Sequence, residues 1–97
     1  MTTSPIVNLT GTVELIKNEK KFANTFLTEF IISAKVKDKV QHYIIKSFSP
    51  GEFDRYAIHT LIGHDVTLDC YLNGRKSEGD KGPYFNNELH VKELRIV

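Results

Sequence analysis

Apolar and polar residues alternate with a period of two along most of this chain. The alternation covers residues 6–17, 25–37, 40–48, 65–73 and 84–97. A period of two is typical of a β-strand that buries one face and exposes the other. The pattern therefore predicts five strands. No repeat, low-complexity tract or internal boundary interrupts it, so we expect residues 1–97 to form a single domain.

Within each strand, the alternation also predicts which residues share a face. The sets are Val7, Leu9, Gly11, Val13 and Leu15; Phe30, Ile32, Ala34 and Val36; Tyr43, Ile45 and Ser47; Val66, Leu68, Cys70 and Leu72; and, as candidates for burial in the last strand, Phe85, Leu89, Val91 and Leu94. Gly11 lies in the middle of its strand and predicts a bulge or a sharp bend, which a small barrel needs in order to close.

One segment, residues 49–63, has helical rather than strand-like spacing. Its apolar stripe consists of Phe53, Tyr56, Ala57 and Leu61. Ser49 can cap the start of a helix, Pro50 suits the first helical position, and Gly63 suits the end. The segments 18–24 and 74–83 read as loops, the second of them long, charged and flexible.

Three strands, one helix and two more strands is the element order of the OB-fold, a small barrel that often binds nucleic acid strands. We therefore expect an all-β, five-stranded OB-fold barrel with one helix between the third and fourth strands. We also expect no parallel strands and no second long helix.

Composition bounds the function without identifying it. The net charge is +1, but residues 1–48 carry +3 and residues 49–97 carry −2, which suits either a basic binding surface or an ordinary solubilised one. Cys70 is the single cysteine, so it is expected to be a buried, inert thiol in a reducing cytoplasm. No apolar run is long enough to span a membrane, and the first residues do not resemble a signal peptide.

Catalytic and metal-binding patterns are missing from the sequence. The four histidines are scattered without ligand spacing, and one cysteine cannot form a zinc finger. Gly79, Lys81 and Gly82 do not make a phosphate-cradling loop, because a strand rather than a helix follows them. We therefore expect a protein that is not an enzyme and that uses no cofactor or metal.

A nucleic-acid interface is the better supported hypothesis, because single-strand binding needs cations for the backbone and rings for the bases. The candidate residues are Lys20, Lys21 and Phe22 in the first loop, Lys35, Lys37, Lys46 and Phe48 on the second and third strands, Tyr71 on the fourth, and Arg75, Lys76, Lys81 and Tyr84 in and after the long loop. Alternatives remain open: Phe48 could pack beneath the helix, Phe22 could plug the barrel, and Tyr71 could lie at a subunit contact.

Several segments resemble a known family. They are Leu-Thr-Gly-Thr-Val at 9–13, Glu-Phe-Ile-Ile at 29–32, Ile-Gly-His-Asp-Val-Thr-Leu at 62–68, Leu-Asn-Gly-Arg at 72–75 and Tyr-Phe-Asn-Asn-Glu-Leu at 84–89. Together they resemble small OB-fold single-stranded-DNA-binding proteins of bacteria, phages and mobile elements, especially a short Bacteroides-type family. The resemblance spans about residues 8–96 and implies the fold, oligomerisation and single-strand binding. It departs from the family at Phe48, near which a tryptophan is common, and in having no acidic tail.

The leading hypothesis is therefore sequence-tolerant binding of single-stranded DNA in replication, recombination or repair. The missing tail favours a specialised phage, mobile-element or primosomal-type role. The alternative is an OB-like module for protein–protein contact or RNA binding. Outward-facing Ile16, Ile31 and Ile44 need cover, which predicts a homodimer or homotetramer.

Overall fold

The computed structural model describes residues 5–49 and 58–97, and five strands account for most of them. The strands are β1 (Ile6–Lys21), β2 (Phe26–Val36), β3 (Lys39–Ser49), β4 (Asp65–Gly79) and β5 (Gly82–Ile96). They form one closed barrel in the order β1-β2-β3-β5-β4. The OB-fold barrel expected from the sequence is confirmed.

A parallel contact closes the barrel, so the expectation of no parallel strands was wrong. The β1–β2, β2–β3, β1–β4 and β4–β5 pairs are antiparallel, whereas β3 and β5 run parallel and pair only at Ile45↔Leu89 and Lys46↔His90. The odd number of strands gives the reason. A helix-containing connection carries the chain from β3 across to β4, and the β4–β5 hairpin then returns β5 to the open edge of β3.

The barrel interior holds most of the residues that the alternation placed together, although Val36, predicted to share the inward face, is exposed at the end of β2. Val13, Phe30, Ile32, Ile45, Val66, Leu68 and Cys70 are completely buried. Leu9, Tyr43, Leu89, Val91 and Leu94 pack against them. Burial raises the pKa of the Cys70 thiol to about 11, so the thiol is neutral at ordinary pH, as expected for an inert core cysteine.

β1 turns a corner of the barrel next to Gly11. Residues 6–12 pair with β4, and residues 12–21 pair with β2. A Cβ atom on Gly11 would lie 2.5 Å from the carbonyl oxygen of Ser33, so only glycine allows the two strands to approach this closely.

The bulge itself lies just after Gly11, between Val13 and Leu15. It places one extra residue on β1, and the inward position therefore moves from Leu15 to Ile16. Leu15 is exposed and Ile16 packs against the core, so the sequence-based assignment of these two residues was wrong.

The segment between β3 and β4 is described from residue 58 onward. Residues 58–60 are helical, and Ile58 and Leu61 are buried in the core. The predicted stripe residues Phe53, Tyr56 and Ala57 lie outside the described residues. The end of this segment joins the corner of β1, since Gly63 N–H donates to Val13 C=O (2.7 Å) and Val13 N–H donates to His64 C=O (3.0 Å).

β4 and β5 form one long hairpin, so the predicted long loop over residues 74–83 was wrong. Pairing continues from Val66↔Ile96 out to Gly79↔Gly82, and only Asp80 and Lys81 form the turn. Gly82 has φ +109°, a conformation that glycine adopts easily at a tight turn. Phe85, a burial candidate in the sequence, is 74% exposed because this end of the hairpin projects beyond the barrel.

Substituting Gly11 by alanine should strongly destabilise the barrel. The added Cβ would lie 2.5 Å from the Ser33 carbonyl oxygen and 2.7 Å from Ile32 Cγ2, so we expect a loss of about 1–3 kcal/mol or more in the free energy of unfolding. Gly74→Ala is the matched control, because its Cβ would meet only Asn87 Oδ1 at 3.5 Å. Urea unfolding measures both variants, and equal stability of the two would contradict the close approach described above.

Candidate nucleic-acid interface

Residues on the outer surface of the barrel form rows that cross several strands. One row runs from Glu29 on β2 through Lys46 on β3 and His90 on β5 to Tyr71 on β4. A neighbouring row runs from Lys20 on β1 through Leu27 to Phe48 on β3. Paired residues of adjacent strands lie on the same face of a sheet. The rows therefore bring Lys20, Lys46, Phe48 and Tyr71 of the predicted site onto one surface.

Two rings meet at the centre of this surface. Phe48 is 47% exposed, and its ring centroid lies 5.1 Å from that of His90 at an interplanar angle of 40°. The ring therefore lies on the outer surface with one side supported by His90, rather than in the core. An exposed, supported ring is suited to stacking on an unpaired base.

The projecting end of the hairpin, which we call the arm (residues 73–79 and 82–88), continues this surface. Arg75 pairs with Asn86 and Ser77 pairs with Tyr84, on the same face as the Tyr71↔His90 pair. Lys76 pairs with Phe85 and so lies on the opposite face. The arm therefore separates the neighbouring residues Arg75 and Lys76, and it places Tyr84 with Arg75 on the surface that carries Phe48.

The Glu88 carboxylate contacts three nitrogen-containing side chains of this surface. Glu88 Oε2 accepts from Lys46 Nζ at 2.5 Å, and Glu88 Oε1 lies 3.1 Å from His90 Nε2 and 3.5 Å from Arg75 Nε. Mainly through the hydrogen bonds from Lys46 and His90, these groups lower the pKa of Glu88 to about 2. The group Glu88, Lys46, Arg75 and His90 is called the Glu88 cluster below.

A cavity of about 210 Å³ opens beside the Glu88 cluster, between β3 and the base of the arm. Ile44, Lys46 and Glu29 line one side, and residues 86–89 line the other. It arises because β5 pairs with β3 only at Leu89 and His90, so the arm diverges from β3 beyond that point. A ligand could reach Lys46 through this opening.

The remaining predicted residues lie around the edges of the surface. Lys20, Lys21 and Phe22 are at the β1–β2 turn, where Lys20 Nζ is 5.5 Å from the Phe22 ring centroid and Lys21 Nζ is 5.8 Å from that of Phe26. Phe22 is exposed, as is Lys81 in the turn of the arm.

Lys35 and Lys37 lie at the opposite end of the barrel surface. Lys35 pairs with Val40, and Lys37 follows in the β2–β3 turn with φ 50°. Phe48 lies eight positions after Val40 in β3, which is about 26 Å along the strand. These two lysines are therefore not brought together with the ring and the arm.

The structure adds three residues that the sequence did not indicate as part of a site: Glu88, His90 and Phe85. Strand alternation could have placed Glu88 and His90 on one face. Their partners could not have been found, because the β3–β5 register and the length of the arm depend on barrel closure. Among residues 5–49 and 58–97, no group of metal-binding side chains is present, and no helix in these ranges is long and apolar enough to cross a membrane.

Comparisons with known proteins bear on the fold. No protein-family model matches the chain, and no curated protein matches it by sequence. Its solved structural neighbours include the mitochondrial single-stranded DNA-binding protein of S. cerevisiae, with a TM-score of 0.77 at 15% identity, covering 99% of this chain and 97% of that one.

Two further neighbours have the same architecture. The Plasmodium falciparum SSB in complex with ssDNA has a TM-score of 0.72 at 15% identity and covers 100% of this chain and 96% of that one. The small single-stranded DNA-binding protein of Streptomyces coelicolor has a TM-score of 0.63 at 12% identity and covers 99% and 96%. At these identities the likeness establishes the OB-fold barrel.

The Glu88 cluster should make stability depend on pH in the acid range. The folded-state pKa of Glu88 is about 2 and its usual value is 4.5, so the unfolded chain binds more protons between these values. The stabilisation from the cluster is therefore present above about pH 4.5 and is lost as the pH falls towards 2. Glu88→Gln should flatten this part of the curve of unfolding free energy against pH. If the unfolding free energy of the variant falls as steeply between pH 4.5 and 2 as that of the wild type, Glu88 is not the source of this pH dependence.

Proposed function

We propose that this protein binds single-stranded DNA without sequence preference, on the surface formed by Phe48, Tyr71, the Glu88 cluster and the arm. The observation that carries the proposal is the exposed Phe48 ring, supported by His90 and placed in line with the cationic arm. The barrel it stands on is also that of proteins named as single-stranded DNA-binding, one of them solved with ssDNA.

Each part of the surface has a physical role in this proposal. Phe48, Tyr71 and Tyr84 supply π-faces for unstacked bases, and such stacking is tolerant of sequence because every base has a π-face. Arg75 is 64% exposed and supplies charge for the phosphates. A strand that wraps around the arm would also contact its other face, which carries Phe85 and Lys76. At the edges of the surface, further contacts come from Lys20, Lys21, Phe22 and Lys81.

Lys35 and Lys37 belong to the proposed interface only for a longer strand. Such a strand would have to pass the apolar row Leu15, Ile31 and Ile44 on the outer face of β1, β2 and β3. The role itself is proposed to be non-catalytic, in replication, recombination or repair, and the sequence resemblance to a single-strand-binding family of Bacteroides-type bacteria and their mobile elements supports it.

The same apolar row supports a proposal for assembly. Leu15 and Ile44 are exposed and lie on either side of Ile31, whereas the outer face of β1 and β4 is a polar ladder with bonds such as Asn8 Nδ2 to Asp69 Oδ1 (2.8 Å) and Thr12 Oγ1 to Asp65 Oδ1 (2.6 Å). A contiguous apolar row needs cover more than a solvated polar face does. We therefore propose that the chain forms a homodimer or homotetramer through the row Leu15, Ile31 and Ile44, leaving Phe48, Tyr71 and the arm for DNA.

Two substitutions should separate stacking from charge in DNA binding. Phe48→Ala should weaken binding to oligo-dT by about 1–3 kcal/mol with little change in salt dependence. Arg75→Gln should weaken it and reduce the slope of log K against log salt by about 0.7, because one phosphate contact is lost. Fluorescence anisotropy across a salt series measures both.

Lys39→Gln is the control for Arg75, since it removes an exposed cation at the far β2–β3 turn. Circular dichroism checks that each variant is folded. Equal affinity of the wild type for duplex DNA and oligo-dT would reduce the proposed function to nonspecific charge attraction, and no binding to either at about 50 mM salt would refute it.

The assembly proposal predicts a particle larger than one chain. Light scattering at micromolar concentration should give a multiple of 11.1 kDa, and Ile44→Glu should lower that mass by placing a charge in the buried row. Ile96→Glu is the control, because Ile96 is also exposed but lies at the end of β5. A mass near 11 kDa for the wild type would refute assembly, and dissociation by the Ile96 variant alone would place the contact elsewhere.

A further inference from the structure

The Glu88 cluster puts an acidic group at the centre of a surface proposed to bind a polyanion. This inference rests on the proposed function. Glu88 is only 10% exposed, yet its two oxygens contact Lys46, His90 and Arg75. Two of these partners, Lys46 and Arg75, are among the cations that the sequence predicts for binding the DNA backbone.

A carboxylate and a phosphate compete for the same donors. Both are anions that accept charge-assisted hydrogen bonds from lysine and arginine. In the free protein Glu88 accepts a hydrogen bond from Lys46, lies 3.5 Å from Arg75 Nε and offsets the charge of both cations. A phosphate that pairs with either cation therefore comes close to Glu88, and the repulsion between the two anions opposes its approach.

We propose that Glu88 is an internal competitor of the DNA backbone, holding Lys46 and Arg75 in the free protein and yielding Arg75 to a phosphate when a strand binds. Glu88 thereby lowers the affinity of the surface and speeds release of the strand. It does so without removing the cations, which keep a fixed position next to the rings.

The two cations differ in how readily they can be exchanged. The Lys46 side chain is 23% exposed and is bonded to Glu88 at 2.5 Å, whereas the Arg75 side chain is 64% exposed and contacts Glu88 through Nε at 3.5 Å. The Arg75 contact leaves both Nη groups for a phosphate. Arg75 is therefore the cation that exchanges, and Lys46 is the one that keeps Glu88 in place.

The test compares Glu88→Gln with Glu78→Gln in binding to oligo-dT. Both remove one negative charge from the arm, but Glu78 contacts Lys76 at 3.9 Å on the opposite face and touches neither Arg75 nor Lys46. Glu88→Gln should tighten binding at least about fivefold at low salt. Glu78→Gln should change the affinity about twofold or less.

A double variant tests whether the gain in DNA affinity from Glu88→Gln depends on Arg75. In Arg75→Gln/Glu88→Gln, most of the gain from Glu88→Gln should disappear, because the competed donor is gone. In the wild type, the Nε–H resonance of Arg75 should shift when oligo-dT is added, which tests the exchange without any substitution at Glu88.

The outcomes separate this inference from the proposed function. If the wild type binds oligo-dT but Glu88→Gln binds equally or more weakly, Glu88 supports the site rather than competing with DNA, and the inference alone is overturned. A gain of the same size in Glu78→Gln overturns it as well, because the effect is then one of general charge. If neither the wild type nor Glu88→Gln binds at about 50 mM salt, the proposed function fails and the inference fails with it.

Discussion

The double pairing of β1 is the constraint on which the rest of this barrel depends. One strand pairs first with β4 and then with β2, so its backbone must change direction at the corner. Gly11 permits the close approach to Ser33, and the bulge after Val13 restores the inward side chains to the core. At the same corner, Gly63 and His64 satisfy the N–H and C=O of Val13. The corner therefore fixes both the closure of the barrel and the position of the segment before β4.

The way in which the barrel closes also determines where the candidate site lies. β5 pairs with β3 over only two residue pairs, and beyond them β4 and β5 continue as a two-stranded arm. The divergence of the arm from β3 opens the cavity beside Lys46, and it carries Arg75 and Tyr84 outward in line with Phe48. A longer β3–β5 ladder would close this cavity and bring the arm down onto the barrel.

The net charge of this chain is a poor guide to its surface, and the Glu88 cluster shows why. Glu88 partly offsets the charge of Lys46 and Arg75 on the same face. The formal net charge of +1 therefore says nothing about how these hydrogen-bond donors are arranged. His90 connects the charged residues to the stacking ring, because it contacts Glu88 through Nε2 and supports the Phe48 ring. Charge and stacking are thus held in one connected group on three strands.

The sequence by itself determined the five strands and most of the residues that fill the core, because period-two alternation directly reflects one buried and one solvated face. Val66, Leu68 and Cys70 are buried as their spacing predicts, and Phe30, Ile32 and Ile45 are too. The order of elements was enough to indicate the OB-fold.

The sequence did not predict two features that no local pattern encodes: the bulge that exchanged Leu15 and Ile16, and the strand pairing that continued through residues 74–79 and 82–83. Only the tertiary structure placed Glu88 among Lys46, Arg75 and His90. Those contacts join residues up to 42 positions apart, and their register is set by barrel closure rather than by their neighbours in the chain.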